Sequence, residues 1–375
     1  MASWIDEKVG RFGFGCMRLP MTDGKVDLTV TSEMFDRFLT SGLTYFDTAH
    51  GYLGGQSEVA VRECLAKRHT RDSFFLTDKL TGNFFKRADD VMPVLDSELE
   101  ACGVDHFDML LMHAQGSGNY GHFQECHAYE QAREFVGAGK ARHMGISFHD
   151  RPEMLERILD EHPEVEAVQI QLNYEDYEAP AIQSRRCYEV CVEHGLPVIV
   201  MEPVKGGNLV NLPDDAQVAL DAIPNPEHLS NAGFALRFAA SHPGVDMVLS
   251  GMSDMSQLED NLTSMLDPRP LTQEQIAGLA KVHEALASKG LIACTACHYC
   301  TDGCPERINI PELFNCLNTK HAFGDWNAAY YYNNVYTTEG HAKASACLRC
   351  GKCEKACPQH LPIRELLVQV AEEFE

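Results

Sequence analysis

The stretch HFDMLLMH, His106 to His113, is apolar through its centre and ends on a titratable side chain. It lacks the strict in–out alternation of a half-solvated strand, so it fits a strand covered on both faces, as in a parallel sheet. Seven further runs read the same way: RFGFGCM (11–17), YFDT (45–48), FFLTDKL (74–80), ARHMGIS (141–147), AVQIQLN (167–173), PVIVMEP (197–203) and VDMVLSG (245–251). Between them lie amphipathic segments with helical spacing, among them SEVAVRECLAKR, VMPVLDSELEACG, PEMLERILDEH, AIQSRRCYEVCVEHG and SNAGFALRFAASHPG. Several close on Gly or His-Pro, as helix C-termini do. Eight strand–helix units before residue 290 predict an α/β fold, a (β/α)8 TIM barrel. An open doubly wound sheet is the alternative, but no GxGxxG follows the first strand. Pro268 and Pro270 then break the chain ahead of one more helix, for which Thr272 and Gln275 form a capping box. The expected boundary is at about 290, giving a barrel over 1–290 and a second, mainly helical domain over 291–375.

Length and composition agree with this division. The chain has 375 residues, 45% hydrophobic and 23% charged, enough for one large domain and a small one. Its formal net charge is −24, which opposes phosphate backbones and anionic lipid; no nucleic-acid or membrane role is expected. After residue 290 there are 10 acidic and 7 basic side chains, so nearly all of the excess lies in the first part. The opening MASWIDEKVGRFG has no apolar core of a secretory signal, and no apolar run reaches 18 residues. A cytoplasmic location is expected. Fifteen cysteines in such a chain are then reduced thiols rather than a disulfide framework. Cys187 and Cys191 share a helical face, where a buried apolar role is expected over a metal pair.

Eight of the fifteen cysteines fall in two runs, CTACHYCTDGCP (Cys294–Pro305) and CLRCGKCEKACP (Cys347–Pro358). Both read C-x2-C-x2-C-x3-C-P, the bacterial-type pattern for a 4Fe-4S cluster. Three closely spaced thiolates wrap one cubane, and the fourth, before proline, serves the other cluster. One cluster is therefore expected on Cys294, Cys297, Cys300 and Cys357, its partner on Cys347, Cys350, Cys353 and Cys304. Structural zinc sites use two CxxC pairs instead, and triplets with a trailing Cys-Pro do not fit them. The runs resemble dicluster ferredoxin domains, with a longer spacer of 42 residues, Pro305 to Ala346, containing helical material (IPELFNCLNTKHAF, DWNAAYYYNNVY). The tail LPIRELLVQVAEEFE puts Ile363, Leu366, Leu367, Val370 and Phe374 on one face. The likeness to helical ferredoxin modules implies one-electron transfer with an external carrier such as a ferredoxin or flavodoxin.

Catalytic groups of a barrel project from the C-terminal ends of strands. Those ends supply Asp47, with Tyr52 five residues on, then Lys79 and His113. A tyrosine beside a lysine held by an aspartate makes a proton donor, because a nearby cation favours the phenolate. Such a tyrosine can protonate a carbonyl oxygen while a histidine polarises it. His50, between Asp47 and Tyr52, either faces the same pocket or caps its loop.

At these residues the chain resembles the aldo-keto reductase family, specifically an iron-sulfur branch of it. The likeness also includes FGFGCMRLP, FDTAHGYLGGQSE, LEACGVDHFDMLLMH, GKARHMGIS, VQIQLNY, ALRF and VLSGMSDMSQLEDN, in order along the barrel. The resemblance implies a carbonyl/alcohol oxidoreductase with Asp47, Tyr52, Lys79 and His113 as its tetrad. It also implies NAD(H) or NADP(H), with Ser147 and Gln169 on the nicotinamide. Phe148 replaces the family's Asn, and Met201 its stacking aromatic. Gly251 and Gln257 stand where the family grips the 2′-phosphate, and only Asn261 is retained. Without a cation there, NADP loses its charge-assisted partner. Lys205, Gly206 and Gly207 are candidate pyrophosphate contacts, and a flavin is the alternative cofactor. The rival readings are a docking platform for electron transfer, and an ordinary reductase whose clusters are structural or oxygen-sensing.

Overall fold

The computed structural model describes residues 9–179, 182–288, 290–323, 327–338 and 340–375. The opening segment through Lys8, Ala181 and the pair Asp325–Trp326 of the spacer lie outside them. Eight parallel strands close a barrel: β1 (Phe12–Gly15), β2 (Tyr45–Asp47), β3 (Phe75–Leu80), β4 (Phe107–Gln115), β5 (Ala141–Phe148), β6 (Val168–Gln171), β7 (Val198–Met201) and β8 (Val245–Gly251). Each pairs with its sequence neighbours, and β1 closes on β8 through Phe12–Val248 to Gly15–Gly251. All eight coincide with the apolar runs. Their interior is filled by Tyr45, Met109, Leu111, Ala167, Ile199, Met247 and Leu249, so the barrel is a packed core rather than a pore. A two-stranded ribbon, Met21–Thr22 with Lys25–Val26, lies outside the barrel sheet.

The first helix, α1 (Leu28–Thr40), shows how the outer layer forms. Asp27 caps it by accepting the N–H groups of Thr29 and Val30. Its buried face carries Phe35 and Phe38, which meet Phe14 and Phe46 edge-to-face at centroid distances of 4.9–5.6 Å. Each such pair adds about 0.5–1.5 kcal/mol beyond burial. Next come α2 (Gln56–Val61), continued as one π turn over Arg62–Ala66, and α3 (Ala88–Cys102). The later helices at Pro152–Glu161, Ser184–Glu193 and Asn231–Ala240 fall within the expected segments. Cys187 and Cys191 are buried on the inner face of theirs. No helix among the described residues is long and apolar enough to cross a membrane.

The chain forms two compact units. The first comprises 1–178, 183–203 and 232–270; the second takes 179–182, 204–231 and 271–375. In the second unit, Thr272 and Gln275 form the expected capping box of helix Gln273–Ala287. Helices Ile310–Phe323 and Ile363–Phe374 share a core that includes Leu313, Phe314, Leu317, Tyr332, Leu367 and Val370. Tyr332 stacks on Phe374 at 4.9 Å, while its hydroxyl donates to Glu375 and accepts the Ala344 N–H. The tail face anticipated from Ile363 to Phe374 is thus the face that packs.

Candidate functional site

The strand ends of the barrel bring the four tetrad positions together. Lys79 is fully buried, and its Nζ donates to Asp47 Oδ1 at 2.5 Å and to the Thr48 carbonyl at 2.7 Å. The same ammonium sits 4.9 Å from the centre of the Tyr52 ring. Tyr52 lies within a turn in which its neighbours Gly51, Leu53, Gly54 and Gly55 all have positive φ, so it leaves β2 through a sharply folded loop. His113 meets the Tyr52 ring edge-on, with centroids 5.7 Å apart. Burial, then the neighbouring Lys79 and His149 charges, hold the His113 imidazole well below the usual histidine range. It is therefore neutral near pH 7.

Two residues not anticipated from the sequence complete this arrangement. Thr81 Oγ1 lies 2.6 Å from His113 Nδ1 and within reach of the His50 carbonyl at 3.2 Å. It sits one residue past the end of β3, two residues beyond Lys79, and that spacing is its only signal. Thr48 contributes only its carbonyl, which leaves no mark in a sequence. His50 bonds both oxygens of Glu58 through Nδ1, at 2.9 and 3.1 Å.

The positions expected to hold a nucleotide are largely engaged within the protein. Gln169 donates its amide to Asp47 Oδ2 at 2.9 Å, fixing the second carboxylate oxygen. Ser147 Oγ accepts the Ala114 N–H at 2.7 Å. Met201 is half-buried at the end of β7. Asn261 bonds Ser250 Oγ at 3.0 Å, and Gln257 Oε1 takes the Ser253 N–H at 2.8 Å. Gly251 has a reason beyond the ligand: a Cβ there would come within 3.1–3.2 Å of three Arg18 side-chain carbons. Arg18 thus brings a cation to this segment, and Ser253 Oγ bonds its carbonyl. Arg237 is spent elsewhere, donating to the carbonyls of Ser264 and Arg269.

Lys205, Gly206 and Gly207 belong to the second unit, beside a cysteine run. Asn208 Nδ2 donates to the Cys294 carbonyl at 2.9 Å. Gly206 has φ +67, and a Cβ on it would stand 2.4 Å from the Thr295 carbonyl oxygen. Only glycine lets the two backbones approach this closely. Lys205 is buried.

The eight motif cysteines gather around two cavities. One, about 300 Å³, is lined by Cys294, Cys297, Cys300 and Cys357 together with Ile310, Phe314 and Ile363. The other, about 340 Å³, is lined by Cys304, Cys347, Cys350 and Cys353 with Ile308 and Leu367. Cys300 lies within electrostatic reach of Cys297, Cys294 and Cys357. The repeat extends to the backbone. Ala296 and Arg349, each two residues after the first cysteine of its run, have positive φ and direct their N–H at that cysteine's Sγ, at 3.5 and 3.4 Å. Among the described residues, no three motif cysteines bring their sulfurs within 4.8 Å of one another, the closeness one small ion requires. Two larger groups with apolar walls and N–H···S bonds fit the donor sets, and 4Fe-4S clusters have that character.

Comparison with known proteins agrees with both units. Residues 11–284 match the family model described as the aldo/keto reductase family, and residues 293–361 match a 4Fe-4S dicluster domain. An uncharacterized oxidoreductase, YqkF of Bacillus subtilis, is 23% identical over 73% of this chain and 92% of its own. Norsolorinic acid reductase B of Aspergillus parasiticus is 25% identical over 37% of this chain, which spans 40% of that relative's length. In fold, the chain is similar to an aldo-keto reductase from Klebsiella pneumoniae in complex with NADPH. The TM-score is 0.60 at 21% identity, over 73% of this chain and 91% of that one. It is also similar to the holo form of an aldo-keto reductase from Bacillus halodurans. There the TM-score is 0.60 at 24% identity, over 72% of this chain and 91% of the other. The chain belongs to the aldo/keto reductase family of oxidoreductases and carries a 4Fe-4S dicluster domain after its barrel.

Proposed function

We propose that the barrel interconverts a small carbonyl compound and its alcohol, and that the second unit exchanges the electrons with an external one-electron carrier. The observation that carries the reading is the buried Asp47–Lys79 pair against the Tyr52 ring, with neutral His113 at the ring's edge. Reducing a carbonyl adds two electrons and two protons; the carbon takes one proton from water, and the oxygen's proton is what this arrangement supplies. Tyr52 gives its hydroxyl proton to the forming alkoxide and recovers it from solvent. Lys79, locked by Asp47 and Thr48, holds its positive charge 4.9 Å from the centre of the ring that becomes the phenolate. Gln169 fixes the outer oxygen of Asp47, so this carboxylate cannot swing toward the substrate.

His113 orients the carbonyl. When the Thr81 hydroxyl donates to Nδ1, the ring hydrogen resides on Nε2, where it can donate to a carbonyl oxygen. A charged imidazole would compete with Lys79, and burial removes that competition.

Two 4Fe-4S clusters, bound by the cysteines that line the two cavities, would supply single electrons at potentials tuned by the N–H···S bonds and apolar walls. A nicotinamide fits the barrel residues incompletely, because the Gln169 and Asn261 amides already have protein partners. NAD(H) or NADP(H) remains the expected nucleotide, with a flavin as its alternative.

The test is anaerobic. Dithionite-reduced protein carrying about eight irons and eight sulfides per chain is mixed with a panel of small aldehydes, ketones and sugar-like carbonyls. The reading expects at least one compound to abolish the reduced-cluster EPR signal with stoichiometric alcohol formed. Clusters that stay reduced beside every carbonyl, while turnover proceeds on NAD(P)H alone, would contradict it.

A further inference from the structure

The two cysteine runs share a pattern and differ in charge. Cys294–Pro305 carries one formal charge, that of Asp302, whereas Cys347–Pro358 carries Arg349, Lys352 and Lys355 against Glu354. The second run is therefore locally positive within a chain of net charge −24. Arg349, Lys352 and Lys355 are all exposed and have no salt-bridge partner among the described residues. Glu354 is neutralised instead by Arg364, whose backbone N–H donates to Oε1 at 2.9 Å and whose Nε donates to Oε2 at 2.8 Å.

The runs differ in exposure as well. Of the eight motif cysteines, Cys350 alone is exposed. Leu348, 62% exposed, and Lys352 line the same cavity as Cys350. Glu306 is the one acid lining that cavity, and it is half-buried. None of the four cysteines around the other cavity is exposed. An apolar side chain among cations, beside the more accessible cavity, has the anatomy of a small transient interface.

We propose that Leu348, Arg349, Lys352 and Lys355 form the docking surface for an acidic one-electron carrier protein, with the cavity of Cys304, Cys347, Cys350 and Cys353 as the point of electron exchange. The inference rests on the reading that the second unit trades electrons with an external carrier. One electron leaves the carrier for each one gained at this cavity, and no bond or proton moves with it. The charge pattern selects both partner and orientation. An acidic carrier is repelled by the negative excess elsewhere in the chain and attracted here, within about 10 Å at 0.1 M salt. A basic carrier would settle on acidic surface away from the cavity. Anionic lipid is the other chemistry that attracts cations, but lipid-binding segments gather about 4–8 of them, and the run offers three.

The test separates docking from electron exchange. Oxidised holoprotein is titrated calorimetrically with an acidic plant-type 2Fe-2S ferredoxin, and exchange between the two is followed by anaerobic stopped flow. One ferredoxin should bind per chain, with an affinity that falls as ionic strength rises. Lys352→Glu combined with Lys355→Glu should lower affinity and exchange rate by about ten-fold or more, with iron, sulfide and reduction by dithionite unchanged. Arginine at both positions should restore both, and Lys25→Glu, on the exposed ribbon outside the barrel sheet, should alter neither. If the double reversal loses iron, Lys352→Gln and the salt dependence of the wild type decide. Wild-type affinity in the reversed variant, or binding indifferent to salt, would overturn the proposal. Exchange equally fast in that variant would overturn the docking surface and leave the electron-exchange reading standing. Ferredoxin held at this surface without exchange would uphold the docking surface and sink that reading. Binding to phosphatidylserine vesicles in place of ferredoxin, abolished by the reversal, would overturn the proposal in favour of lipid.

Discussion

Replacing Lys79 by methionine keeps an unbranched side chain one atom shorter and removes the cation from a pair of which neither member sees solvent. Lys79 is 0% and Asp47 4% exposed, with 2.5 Å between Nζ and Oδ1. Asp47 would keep the Gln169 amide but lose its counter-charge, and stranding a buried charge in this way costs about 3–5 kcal/mol. Lys79→Met combined with Asp47→Leu removes both charges. It should recover the loss except for about 1–3 kcal/mol, the cost of leaving the Gln169 amide unpaired. The assay is anaerobic urea unfolding of cluster-loaded protein followed by far-UV circular dichroism, comparing midpoints at unchanged slope. Turnover should be low in both variants, because Tyr52 has lost the charge beside its ring in each. A loss below about 1 kcal/mol in Lys79→Met, or a double variant no more stable than the single one, would refute the premise that this pair is a dry, charged unit.

Three other predictions come from the same geometry. His113 titrates well below its unfolded value near 6.5, so the unfolded chain binds the extra proton first. Its contribution to stability is full above about pH 6.5 and is lost as pH falls below that toward the lower folded value. His113→Gln should flatten the unfolding midpoint over that window, and an unchanged pH slope would contradict the assignment. Arg18→Ala should weaken NADPH binding by calorimetry and leave NADH nearly unchanged; equal effects on both would remove Arg18 from the 2′-phosphate site. Asn208→Ala should shift the midpoint potential of one cluster in an EPR titration and leave the other in place, because Asn208 bonds the carbonyl of Cys294. Two unshifted potentials would make that bond incidental.

Much of this was legible in the sequence for identifiable reasons. Parallel barrel strands are buried on both faces, so HFDMLLMH and its seven counterparts stand out as apolar runs, and their final residues mark the site. The cysteine runs are legible because their spacing repeats, and the expected exchange of the fourth cysteine agrees with the cavity linings, where Cys304 stands with Cys347 and Cys357 with Cys294. What escaped depends on tertiary contact. The glycines of VKGGN suggest a phosphate loop, yet Gly206 is required because the Thr295 carbonyl comes so near. Nothing local distinguishes these two uses of glycine. Asp78 sits beside Lys79 in TDK, and strand alternation sends the two to opposite faces, but that both faces are buried shows only in the closed barrel. Glu58 and Glu98 read as ordinary surface acids of amphipathic helices, and their burial follows from which face α2 and α3 turn inward.

The most direct test of the central claim is the turnover of Tyr52→Phe against wild type, on the carbonyl that reoxidises the clusters, with a one-electron dye as the carrier. The substitution keeps the ring that Lys79 and His113 contact and removes only the donor hydroxyl. The account predicts a fall of about 10²–10⁴-fold in kcat, with iron, sulfide and substrate binding unchanged. Full activity in Tyr52→Phe would contradict it and leave the barrel a platform for the clusters.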